Sequence, residues 1–224
     1  MKLPIILTNY KNYPSALGDA AIRLSELHAE AQKETGVTFG VAVSALDLRQ
    51  ISGKFGSEIP VFAEHIDEGG YGSSTGKIVP EEVKKAGAFG TLLNHSEDRV
   101  NGFELLGKRI QRAKEAGLFV IVCAETDEEG AKIMEKFHPD LIAVEPPELI
   151  GGDISVSSAR PELISESVRK IGAGKVLVGA GVKNGEDVKI ALELGAVGVL
   201  LASGVTKAED QKRVLLDLVS KIGK

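Results

Sequence analysis

The sequence predicts a closed barrel of eight parallel strands, each followed by a helix, in one domain spanning residues 1–224. Three observations predict it. Eight short apolar runs recur at regular intervals, and they are continuous rather than alternating, as strands covered on both faces require. Segments of helical spacing separate them. No linker, composition break or low-complexity tract interrupts the 224 residues. Divided among eight units, the chain gives about 28 residues each, near the length of a βα repeat. Alternation of this kind implies a parallel sheet, open or closed, and an unbroken run of eight units favours closure over an open doubly wound sheet.

The strand candidates, in order, are IILTNY (5–10), FGVAVS (39–44), PVFAEHI (60–66), GTLLNH (90–95), LFVIVCAE (118–125), LIAVEP (141–146), KVLVGAG (175–181) and VGVLLAS (197–203). Between the first two, Leu17, Ala21, Leu24, Leu27 and Ala31 fall on one helical stripe. Ile190, Ala191 and Leu194 form another late in the chain. Thr126 with Glu129 reads as a capping box, and Asn184 as an N-cap. Gly36, Gly87, Gly117 and Gly195 each stand where a helix should stop, because glycine accepts the left-handed conformation that ends one.

Composition excludes several classes. A net charge of −5 is unlike the basic face that nucleic-acid binding calls for. The single cysteine, Cys123, rules out an intramolecular disulfide framework and fits a reducing cytoplasm. No apolar run reaches the roughly 18 residues of a membrane span, and the opening MKLPIILTNYKN is too short for a signal segment. The four histidines show no H-x3-H or H-E-x-x-H spacing, so no metal is expected. Gly179-Ala-Gly181 lacks the third glycine of a dinucleotide fingerprint, since residue 184 is Asn184, so the nucleotide reading fails there.

In such a barrel the active site lies at the carboxyl ends of the strands. Asn9 and Lys11 end the first strand and leave the same face. Glu64 and His65 end the third, and Glu125 the fifth. His95 ends the fourth and precedes Ser96-Glu97-Asp98, which reads as the first turn of a helix whose dipole would disfavour a protonated imidazole. Local pattern weighs that histidine evenly between a neutral donor and a strand-end filler. Glu145 sits between an apolar strand and two prolines, where partial desolvation would lift its pKa toward that of a general base. The following Pro146-Pro147-Glu148-Leu149-Ile150-Gly151-Gly152-Asp153-Ile154-Ser155 has the proline and glycine punctuation of a lid. The corners GAGVKNGED (179–187) and LLASGVTKAED (201–210) are built of small residues, so that backbone N–H groups can approach a phosphate. His28 and His138 read as solvent-facing, and Cys123 as core.

Six segments in order carry a resemblance that spans nearly the whole chain: NYK (9–11), STGK (74–77), LLNHSEDR (92–99), AVEPPELIGG (143–152), GAG (179–181) and GVLLASGVTKA (198–208). Together they resemble the triosephosphate isomerases, in their short archaeal-type form. The resemblance implies Glu145 as the base that moves a proton between two carbons, His95 as a neutral electrophile and Lys11 as the cation on an anionic substrate. It implies Asn9 and Tyr10 beside the substrate, with backbone donors at Ile150, Gly181, Ala202 and Ser203 for the phosphate. Glu97 would hold Lys11, and Thr75 would reach into a neighbouring subunit of a homodimer or homotetramer. The expected partners are phosphorylated trioses, with no nucleic acid and no membrane, and the implied reaction requires no metal or organic cofactor. Tyr10 stands where longer forms usually carry tryptophan, and Ala202-Ser203 where they carry paired glycines. Two rivals differ in kind: another phosphate-binding barrel, such as a pentose-phosphate epimerase or a lyase, which should show metal ligands at strand ends, and a non-catalytic phosphometabolite-binding barrel, which would not need both His95 and Glu145.

Overall fold

The structure, a computed structural model, describes residues 1–146 and 161–223. Eight strands form one closed parallel barrel in sequence order: β1 (Ile5–Asn9), β2 (Thr38–Val43), β3 (Val61–Ala63), β4 (Gly90–Leu93), β5 (Phe119–Ala124), β6 (Leu141–Val144), β7 (Val176–Val178) and β8 (Gly198–Leu201). Every expected apolar run matches one of them, with β2 starting one residue earlier, at Thr38. The strands stop two or three residues short of several runs because the last residues turn away into the mouth. Closure is made by β1, where Ile5 lies opposite Thr38 of β2 on one side and Gly198 of β8 on the other.

Around the barrel, and among the described residues, run α1 (Asp19–Thr35), α2 (Leu48–Phe55), α3 (Pro80–Lys85), α4 (Phe103–Glu115), α5 (Asp127–Phe137), α6 (Pro161–Ile171), α7 (Gly185–Glu193), the four-residue α8 (Ser203–Thr206) and α9 (Gln211–Val219). Their ends follow the expected chemistry. The Thr126 hydroxyl accepts from the Glu129 N–H at 3.1 Å, while the Glu129 carboxylate accepts from the Glu125 N–H at 2.8 Å. Asn184 accepts from the N–H groups of Glu186 and Asp187. Gly36, with φ +74°, closes α1, and Gly117, also at +74°, follows α4.

Because side chains alternate along a strand, the barrel separates two cores. Ile5, Leu7, Ala42, Phe62, Leu92, Ile121, Cys123, Ala143, Leu177 and Leu200 fill the interior. The opposite parity, including Ile6, Val41, Leu93, Val122 and Val144, packs against the helices. Phe62, Phe89 and Phe119 plug the end of the barrel at which the strands begin, with the Phe62 ring edge-on to both others. Parity then decides what the other end holds. Ile5 and Leu7 point inward, so Asn9 does too; Leu141 and Ala143 point inward, so Glu145 follows them.

Candidate active site

At the carboxyl end of the strands opens a cavity of about 590 Å³, bordered by the ends of β1, β4, β6, β7 and β8. Asn9, Lys11, His95, Glu97, Glu145, Gly181, Ala202 and Ser203 all line it. Each reaches it by a particular device. Lys11 takes a left-handed backbone, φ +49°, and its N–H donates to the Asn9 side-chain oxygen at 3.2 Å. That turn carries the lysine back over the mouth rather than outward. Asn94, at φ +63°, breaks the alternation of β4, so that the next residue, His95, swings inward. The Asn94 amide fixes the turn by donating to the Cys123 carbonyl and accepting from the Val100 N–H.

His95 Nε2 stands 3.6 Å from Glu145 Oε1. Its other nitrogen, Nδ1, accepts from the Glu97 N–H at 3.1 Å. A neutral ring accepting at Nδ1 carries its proton on Nε2, facing the carboxylate and the cavity. Burial lowers the His95 pKa from 6.5 to about 4, and the Lys11 charge adds to that. The cause therefore differs from the expected one. Residues 96–98 form a turn, with the Asp98 N–H donating to the His95 carbonyl, and α4 begins only at Phe103. Without a helix start beside it the dipole is absent, and desolvation does the same job.

Glu145 is buried and its Oε2 makes no hydrogen bond among the described residues. A carboxylate without water to solvate it favours its neutral form. Burial accordingly lifts Glu145 from 4.5 to about 7, against a smaller opposing effect of the Cys123 thiol and Lys11. Lys11 Nζ forms an ion pair of 2.8 Å with Glu97. A base ready near neutral pH, a neutral N–H donor and a cation thus converge on one cavity.

Several expected positions fall elsewhere. Tyr10 is fully buried but faces away from the cavity, as strand parity demands. Its hydroxyl is within hydrogen-bonding distance of Ser25 on α1, and its ring packs on His28. His28, expected in solvent, is wholly buried: it lies four residues after Leu24, on the inner face of α1, with Nε2 2.8 Å from the Thr8 hydroxyl and Nδ1 2.8 Å from the Leu24 carbonyl. Glu125 is outside the cavity and faces Arg99. Thr75 is exposed in the loop after β3, away from this chain's own cavity. Ile150 and the rest of the expected lid after Pro146 lie outside the described residues. Among the described residues, no group of three or more His, Cys, Asp and Glu side chains is placed to hold a metal ion, and no helix is long and apolar enough to cross a membrane.

Some features had no role assigned to them from sequence. Glu64, beneath Lys11, is pushed up to about 7 by burial. Tyr13 and Lys207 form one rim of the cavity, the ammonium 4.8 Å from the ring centroid. Nothing in the spacing of those residues distinguishes them from surface ones.

A buried glutamate and a neutral histidine facing each other at the mouth of a parallel barrel, with a lysine above them, define an acid–base enzyme of the βα-barrel class. Comparison with known proteins narrows the class. The family model for triosephosphate isomerase matches residues 4–222. Triosephosphate isomerases from Methanobacterium bryantii and Methanopyrus kandleri are each 44% identical to this chain, covering 98% of it and 97% and 98% of their own lengths. A crystal structure of triosephosphate isomerase from Bartonella henselae has the same fold, with a TM-score of 0.73 at 24% identity over 97% of this chain and 99% of that one. The chain belongs to the triosephosphate isomerase family, as its six segments led us to expect.

Proposed function

We propose that the chain interconverts dihydroxyacetone phosphate and D-glyceraldehyde 3-phosphate, with Glu145 moving the proton. The observation that supports this most is the pairing of Glu145 and His95 across 3.6 Å, with burial keeping the imidazole neutral and lifting the carboxylate to a basicity suited to taking a proton near neutral pH. The ionised Glu145 carboxylate takes a proton from C1 of dihydroxyacetone phosphate. The C–H electrons form a C1–C2 double bond, and the carbonyl electrons move onto O2. His95 Nε2–H donates to that oxygen as its charge develops, and Lys11 lowers the energy of the same charge. The hydroxyl proton crosses from O1 to O2, the O1 electrons close the C1 carbonyl, and the C1–C2 double-bond pair takes the proton back from Glu145 at C2.

Gly181, Ala202 and Ser203 supply small, closely approachable backbone for the phosphate. The first N–H groups of α8 have no acceptor within the helix, which supports that role. Asn9 braces Lys11 from below, and Glu97 holds its ammonium until substrate arrives. The same reading takes the 224 residues as one catalytic domain acting in the cytoplasm. Thr75, exposed in its loop, then belongs to a contact between copies in a homodimer or homotetramer. A coupled turnover assay tests the central claim. Glu145→Gln should lower kcat by at least the 10²- to 10⁴-fold typical of a lost general base; near-wild-type turnover would remove Glu145 from the chemistry.

A further inference from the structure

We infer that Gly179 is a positioning residue for the base, because having no side chain it leaves free the volume that the Glu145 side chain occupies. The inference rests on Glu145 being that base. From sequence, Gly179 belonged with Gly181 to one phosphate-binding corner; the geometry separates them. Gly181 has φ +68°, a left-handed conformation that favours glycine. Gly179 is outside that region, so its backbone would accept any L-residue. What forbids a larger residue is space. A Cβ on Gly179 would overlap the Cγ of Glu145 outright and lie 3.3 Å from its Cδ. It would also press on the Val144 carbonyl at 3.0 Å.

The placement follows from the ladder. The Gly179 N–H donates to the Val144 carbonyl at 2.9 Å, which sets it beside the end of β6 and across from Glu145. Glu145 is itself fixed there, its N–H donating to the Ala124 carbonyl at 2.8 Å. The backbone on both sides is tied into the barrel, so the side chain must yield. Within that slot the carboxylate is buried and faces His95 Nε2. Displaced from it, Glu145 would move toward the open cavity, away from both its partner and its dry surroundings.

The test is Gly179→Ala in the full chain. A base misplaced by an ångström costs about 100-fold, so kcat should fall by about that factor. The KM for dihydroxyacetone phosphate and competitive inhibition by inorganic phosphate should stay within about twofold of wild type. The acidic limb of kcat/KM should move to lower pH as the carboxylate regains water. Gly53→Ala on α2, where an added Cβ meets nothing within 4 Å, should leave all of these unchanged. Melting curves keep the test decisive should the variant fold poorly: Gly179→Ala should lower Tm in wild type far more than in Glu145→Ala, which has no Cγ to strike. Unchanged kcat, a loss confined to KM and phosphate inhibition, or an equal Tm loss in both backgrounds would overturn the inference. A wild-type chain without turnover would instead defeat the base assignment, while the paired melts would still report on the contact.

Discussion

At the scale of single residues, the site works by withholding water. Glu145 and His95 are driven by burial in opposite chemical directions, one up to about 7 and the other down to about 4. Between those values both are neutral, and above about 7 the glutamate becomes a base while the imidazole remains a donor. The kcat/KM of the free enzyme should therefore rise through about pH 7 and show no loss from His95 until far more acid conditions. Glu64 titrates in the same range, so Glu64→Gln is the control. A profile that keeps its limb near pH 7 in that variant assigns the limb to Glu145. These two candidate residues were legible because they end apolar runs at positions a barrel turns into a mouth. Tyr10 was misplaced for the opposite reason. A motif puts neighbouring residues together, whereas strand parity sends Asn9 and Tyr10 to opposite faces.

Elements tell a similar story. Strands were legible as continuous apolar runs and helix ends as caps, since both depend on local chemistry. Thr126→Ala removes an acceptor that meets the Glu129 N–H and should cost about 1 kcal/mol in a urea melt, with turnover unchanged, as α5 leads away from the cavity. The turn at 96–98 was read as a helix start because its residues are good N-terminal ones. The left-handed Asn94 and the Asp98 N–H bond to His95 are set by packing between β4 and β5, which composition does not record. Helix α1 hid a polar cluster. His28 sits at i+4 from Leu24 and i−3 from Ala31, so helical spacing alone places it on the buried stripe. Its polarity argued for solvent, yet hydrogen bonds to Thr8 and Leu24 satisfy both ring nitrogens, and buried polar groups with partners are tolerated.

For the whole molecule these buried groups set how stability responds to pH. Glu145 and Glu64 have folded pKa values raised to about 7 from 4.5, so their contribution is present below 4.5 and lost as pH rises through 7. His28 and His95 have theirs lowered to about 4 from 6.5, so their contribution is present above 6.5 and lost as pH falls through 4. Between about pH 4.5 and 6.5 the folded chain holds two protons on the glutamates and the unfolded chain two on the histidines. Proton uptake by the four groups cancels, and their combined effect on stability is flat there. Removing one tilts it. Glu145→Gln should make stability fall toward acid by about 1.4 kcal/mol per pH unit, and His28→Gln should make it rise toward acid by a similar amount. Denaturant melts at pH 5, 5.5 and 6 measure both slopes; parallel slopes in the two variants would break this account. Above pH 7 the same Glu145→Gln change should stabilise the fold, the familiar exchange of activity against stability.

The closed ring also constrains how the chain comes into being. A sheet that closes has no edge, but only once its last seam is made, and here that seam lies between β1 and β8. While the chain is being synthesised, β1 is made first and must wait for Gly198–Leu201. Until then the growing product has two unpaired borders, one at β1 and one at its newest strand. The tie that finishes the barrel is thus the one with the longest sequence separation, and it leaves the nascent chain open to sticking to other chains until β8 has been made.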